Sequence, residues 1–175
     1  MELEANEFQN LLTLPMAVIT TKDAKGVDNA APYGCVMPVL KPFKVIALAS
    51  ALPRHTLANI RDTEEFIINI MGKPGFKESM SCAKDYPEEV SELEEVGLET
   101  VAAKKVKVPR IKKAIGWIEA SLKEEILRED FSIVLGEVLK AEINEEYLES
   151  DQLTEDPLTM LNGEFRALGD SVSME

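Results

Sequence analysis

Hydrophobic and polar residues alternate along this chain in short runs, the pattern of strands more than of long helices. MAVITT (16–21) is β-rich, and KDAKGVDN (22–29) holds the turn residues Gly26 and Asn29. A hairpin is therefore expected into AAPYGCVMPVL (30–40). Pro32 and Pro38 exclude a regular central strand there and point to an edge, a bulge or backbone approached by something else. KVIALAS (44–50) is nearly continuous in apolar residues and is expected to be buried on both faces. EFIINI (65–70) is a further strand. In 114–127, Ile118, Ala120 and Leu122 alternate with Glu119, Ser121 and Lys123. In 131–143, Phe131, Ile133, Leu135, Leu139, Ala141 and Ile143 share one face, with Glu137 the exception and Gly136 the mark of a bulge. These last two runs read as a long hairpin.

Helical signals are fewer. Leu3, Phe8, Leu11 and Leu12 suggest a short amphipathic helix over 2–13, ended near Pro15. Leu57 and Ile60 lie at helical spacing in 52–63, a helix opened by Pro53 and Arg54 or capped by Thr56. Residues 72–100 are helical in pieces between Gly72, Pro74, Gly75, Pro87 and Gly97. The tail, 144–175, is acidic and loop-rich. Six or seven strands with few long helices predict a mainly β fold with helical insertions (α+β), an antiparallel barrel or sandwich, as one domain over 1–175.

Composition narrows the partners. The chain has 175 residues, 45% hydrophobic and 29% charged, values of an ordinary globular domain. The longest apolar run, 45–52, falls far short of the roughly 18 residues of a membrane span. The acidic start, MELEANEF, matches neither a signal nor a transit peptide, so a cytoplasmic protein is expected. Net charge is −13, and residues 116–175, with sixteen acids and four bases, carry almost all of it. Such a surface repels nucleic acid and anionic lipid. The neutral first third is the place to hold a small anion.

Few side chains can do chemistry alone. Two cysteines, Cys35 and Cys82, make no disulfide framework, and with the single His55 they cannot form a four-ligand zinc site. No catalytic residue and no metal ligand set stands out, so any chemistry is expected from a bound cofactor. Two stretches invite one. In NAAPYGC (29–35), Ala30, Ala31 and Gly34 bare the main chain to a flat ligand. In ASALPRHTLANI (49–60), Arg54, His55 and Thr56 sit ahead of a helix start, as a phosphate requires, although small residues also pack tightly and Thr56 also serves as a plain cap. Cys35 reads as a small buried hydrophobe.

PMAVITT (15–21), NAAPYG (29–34), ASALPRHTLANI (49–60) and TEEFIINI (63–70) resemble the flavin reductase-like family, the FMN-binding split-barrel proteins that include flavoredoxin. SELEEVGL (91–98), VPRI (108–111), IGWIEASL (115–122) and IVLGEV (133–138) follow in the family's order, so the resemblance spans about residues 12–168. It implies a split β-barrel homodimer with FMN near the subunit interface. Asn29, Ala30, Ala31, Pro32, Tyr33, Gly34 and Cys35 would line the flavin ring, with Thr20 and Thr21 nearby. Ser50, Arg54, His55, Thr56 and Asn59 would face the ribityl chain and phosphate. The chain departs from the family at Gly34, where many relatives have Ser. It also lacks a His near Asp130 and Phe131, and the family's C-terminal aromatic aligns only loosely with Phe165. Three classes stay open: an NAD(P)H-dependent FMN oxidoreductase, a flavoredoxin-like electron carrier serving a redox protein partner, and a non-catalytic interaction barrel.

Overall fold

The β-rich run and its turn form the expected hairpin. In the computed structural model, which describes residues 2–169, a 3₁₀ helix at Ala5–Leu11 and the short β1 (Leu14–Pro15) lead into β2 (Ala17–Lys22) and β3 (Asp28–Tyr33). The end of the tail, 170–175, lies outside the described residues. β4 (Val36–Pro38) and β5 (Val45–Ala51) precede α1 (His55–Thr63) and β6 (Glu65–Ile70). Residues 72–100 are helical in pieces, as their breakers predict, with α2 at Phe76–Ser81 and α3 at Glu92–Val96. β7 (Thr100–Val101) and β8 (Arg110–Ile111) form a small ladder. β9 (Gly116–Leu127) and β10 (Phe131–Ile143) are the long hairpin. The tail adds β11 (Leu148–Glu149), β12 (Gln152–Leu153), β13 (Thr159–Leu161) and β14 (Glu164–Arg166).

Seven strands form one antiparallel sheet in the order β3-β2-β6-β9-β10-β5-β4. β3 and β4 are its opposite edges, yet only Gly34 and Cys35 separate them in the chain. A link of that length reaches about 10 Å. The sheet must therefore curl until its edges meet, and the fold is a split barrel of mixed α+β class.

The interior of the curl is filled by Ala17 and Ile19 of β2, Ile46 and Leu48 of β5, Phe66 and Ile68 of β6, Ala120 and Val134, under Leu57 and Ile60 of α1. A second core lies on the outer face, where Val18, Ile67 and Trp117 meet Cys82, Leu93, Val106, Val108 and Ile111. β2 and β6 are thus buried on both faces. β5 is not, contrary to the expectation from its apolar run. Ile46 and Leu48 point inward, while Val45, Ala47 and Ala49 face outward and are half-exposed.

The face expected of 131–143 is also revised. The register steps from Val138↔Ala120 to Lys140↔Glu119, leaving Leu139 as a bulge. Ala141, opposite Ile118, therefore lies on the inner face, whereas Ile133 and Leu135 lie on the outer one. Across β10 the inward set is Ser132, Val134, Gly136 and Val138.

The loop before β8 is tied down by charge. Arg110 lies 4.9 Å over Trp117 and pairs with Glu119, which also accepts the backbone N–H groups of Lys104 (2.9 Å) and Lys105 (2.5 Å). Burial works against the ionised Glu119, but these donors and Arg110 prevail and hold its carboxyl below the ordinary range.

Candidate functional site

Two chain segments lie side by side and are pinned at both ends. At one end the Asn29 side chain accepts a hydrogen bond from Thr56 Oγ1 at 3.1 Å. At the other, the Tyr33 hydroxyl and Ser50 Oγ are 2.9 Å apart. The strand between these pins is about 13 Å long. Residues 29–33 and 50–56 thus run side by side, and the strip between them is the candidate trough. Strand alternation puts Asn29, Ala31 and Tyr33 on the trough side.

The free edge of β3 presents main-chain donors at alternate residues. Ala30 N donates to Glu92 Oε2 at 3.1 Å, and Pro32 has no N–H. Past the strand end, Gly34 and Cys35 give their carbonyls to Val36 and Ala49 at 3.0 and 2.9 Å. Their own N–H groups have no partner among the described residues. Gly34 owes its lack of side chain to packing as well, since a Cβ there would stand 3.3 Å from Leu14.

At the other end, α1 starts at His55 with Arg54 as its N-cap; Leu57 and Ala58 N–H donate to Arg54 O, and the N–H groups of His55 and Thr56 have no acceptor among the described residues. Arg54 is exposed and forms no ion pair among the described residues. His55 Nε2 lies 3.7 Å from Glu88 Oε1. A half-polar cleft of about 190 Å³ opens here, lined by Asn29, His55, Asn59, Lys25, Asp62 and Glu88 among others. A larger hollow of about 350 Å³, between Ile70, Ile118, Ile143 and Leu153, is almost wholly apolar and holds none of the candidate residues.

Beneath the trough runs a closed polar network. Asn59 Nδ2 donates to Thr21 Oγ1, and Thr21 Oγ1 donates to Asn29 Oδ1, each at 3.1 Å. Asn29 Nδ2 donates to Glu92 Oε1 at 2.7 Å. Thr21, Asn29, Thr56, Asn59 and Glu92 are all buried. The sequence predicts the first four as site residues. Glu92 escaped notice because α3 is distant in the chain and its glutamates look alike; the one signal was the resemblance of 91–98.

Some candidates lie elsewhere. Thr20 is on the opposite face of β2 from Thr21 and donates to Pro109 O at 2.8 Å. The Ala30 side chain packs into the outer core. Cys35 is exposed, not the small buried hydrophobe expected, because it occupies the link between the sheet edges. Cys82 is the inert thiol: burial, then the charge of Glu92, pushes its pKa up to about 12. Phe165 packs edge-on against Phe76, with ring centroids 4.9 Å apart.

Residues 10–169 match the model of the flavin reductase like domain, and the chain belongs to that family. A relative in Methanothermobacter thermautotrophicus, an uncharacterized protein, is 38% identical over 150 residues, 83% of this chain and 71% of its own length. Flavoredoxin of Desulfovibrio vulgaris superposes with a TM-score of 0.87 at 18% identity, covering 99% of this chain and 97% of its own. Nitrilotriacetate monooxygenase component B from Bacillus cereus does so with a TM-score of 0.86 at 21% identity, covering 99% and 95%.

Proposed function

We propose that this chain binds FMN noncovalently in the trough and works as an NAD(P)H-dependent flavin oxidoreductase. The observation that carries this reading is the pairing of unlike ends: at one, the N–H groups of Gly34 and Cys35, and at the other the Arg54 side chain and the N–H groups of His55 and Thr56 at the start of α1, all without partners among the described residues. The first suits the carbonyls and nitrogens of a flavin ring edge. The second suits a phosphate, which needs a cation and convergent N–H donors. When bound, the flavin supplies the hydride chemistry. The chain's part is to hold and orient: Ala31 and Tyr33 border the ring position, Ser50 steadies Tyr33, and Arg54 with the N–H groups of His55 and Thr56 holds the phosphate. The Thr56 hydroxyl proton is spent on Asn29, so this residue meets the phosphate through its backbone.

The same reading includes a homodimer. On the outward side of β4, β5 and β10 lies an apolar strip, exposed at Met37 and Phe131, half-exposed at Ile133 and Leu135, and ended by Glu137. A second copy would bury this face and close the site.

A second reading, an electron carrier, draws on the acidic last third, a docking surface for a basic redox protein. Anaerobic addition of NADH or NADPH to the FMN complex separates the two. Prompt bleaching of the flavin absorbance is expected of the oxidoreductase, and bleaching only through a reduced protein partner of the carrier. Titration of FMN by fluorescence quenching tests the site itself. Arg54→Ala should weaken binding by about 1–3 kcal/mol. Unaltered affinity would move the phosphate elsewhere.

A further inference from the structure

We propose that Glu92 is the positioning residue for the phosphate end of this site, an inference that rests on the FMN reading above. Glu92 is 5% exposed, and its carboxylate meets two donors, Asn29 Nδ2 at 2.7 Å and Ala30 N at 3.1 Å. The direction of every hydrogen bond in the network follows from that. A carboxylate only accepts, so Asn29 must turn its amide nitrogen toward Glu92 and its oxygen toward Thr21 and Thr56. Both threonines then donate to that oxygen, and Asn59 donates to Thr21. Thr56 is the second residue of α1, so the start of the helix is tied through Asn29 and Glu92 to the edge of β3. Glu92 touches none of the groups assigned to the ligand. It fixes where the α1 N–H groups and Arg54 stand relative to the strand.

Glutamine at this position keeps the volume but offers one acceptor where two donors converge. Either Ala30 N or Asn29 Nδ2 loses its partner, or the Asn29 amide turns over and sends its N–H groups toward Thr21, which already receives Asn59. Each outcome loosens the start of α1 while leaving the ring end, pinned by Tyr33 and Ser50, in place.

Titration with FMN and, separately, with riboflavin, which has no phosphate, reads that difference. In Glu92→Gln, FMN affinity should fall about tenfold while riboflavin affinity stays within about twofold of the parent. Asn29→Ala should show the same FMN-selective loss, and Glu92→Gln added to it should cost nothing more, because Glu92 acts through Asn29. Unchanged FMN affinity, equal loss for both ligands, or additive losses in the double variant would overturn the proposal. If Glu92→Gln does not fold, Asn29→Ala decides alone: an unchanged ratio of FMN to riboflavin affinity refutes it. A parent protein that binds neither flavin would instead refute the FMN reading itself.

Discussion

Neighbouring residues in this chain have unrelated fates, because successive side chains of a strand face opposite ways. Thr20 and Thr21 look equivalent in the sequence. One serves the loop at Pro109, and the other joins the network under the trough. Charged residues differ in the same way. Glu142 receives Lys104 Nζ at 2.6 Å and Arg110 at 2.5 Å, and these hydrogen bonds hold its carboxyl down to about 2. Its folded pKa lies below its unfolded value, so its stabilisation is complete above about pH 4.5. It is lost as pH falls toward about 2. Glu119 is lowered too and acts with the same sign. Thermal unfolding followed from pH 7 to pH 2 should therefore show a smaller acid-side fall in Tm for Glu142→Gln than for the parent; parallel curves would deny the group a part in acid sensitivity.

At the scale of the element, β10 shows what a hydrophobic pattern leaves open. Its apolar odd-numbered positions look like a core face, but from Ser132 to Val138 the even-numbered set points inward. Gly136 decides this, because Phe66 fills the space beside it: a Cβ would meet Phe66 Cζ at 2.5 Å. Phe66 is fully buried and has nowhere to retreat. Gly136→Ala should cost about 1–3 kcal/mol in denaturant unfolding, from overpacking alone. An unchanged midpoint would mean that the strand shifts at little cost. β3 illustrates the opposite case. Pro32 leaves an edge, a bulge or an approached backbone open in the sequence, and the sheet order makes β3 an edge. What the proline could not reveal is that Glu92 occupies the preceding free donor, leaving Gly34 as the next one along.

For the whole molecule, the division of the sheet matters most. Its β2-β6 half is covered by the helical insertion after β6, and its β4-β5-β10 half presents an apolar strip at Met37, Phe131, Ile133 and Leu135 that ends at Glu137. Under the homodimer reading, Ile133→Lys puts an unpaired charge in the seam. Sedimentation should then move from a dimer to a 19.4 kDa species, with flavin affinity reduced alongside. A dimer that survives the substitution would place the subunit contact on another face.

Local chemistry in the chain sufficed for the hairpins, the breaks in 72–100 and a helix within 52–63, because turn residues, strand alternation and helix-start chemistry act between near neighbours. The ordered family motifs extended this to a split barrel. Tertiary structure alone decided which face of β5 and β10 is inside, that Thr20 and Cys35 turn away from their expected places, and that Glu92 governs the network. Each of these depends on a contact between residues far apart in the chain, such as Gly136 with Phe66 or Glu92 with Asn29. A linear pattern carries the period of a strand; only the packed neighbour chooses its face.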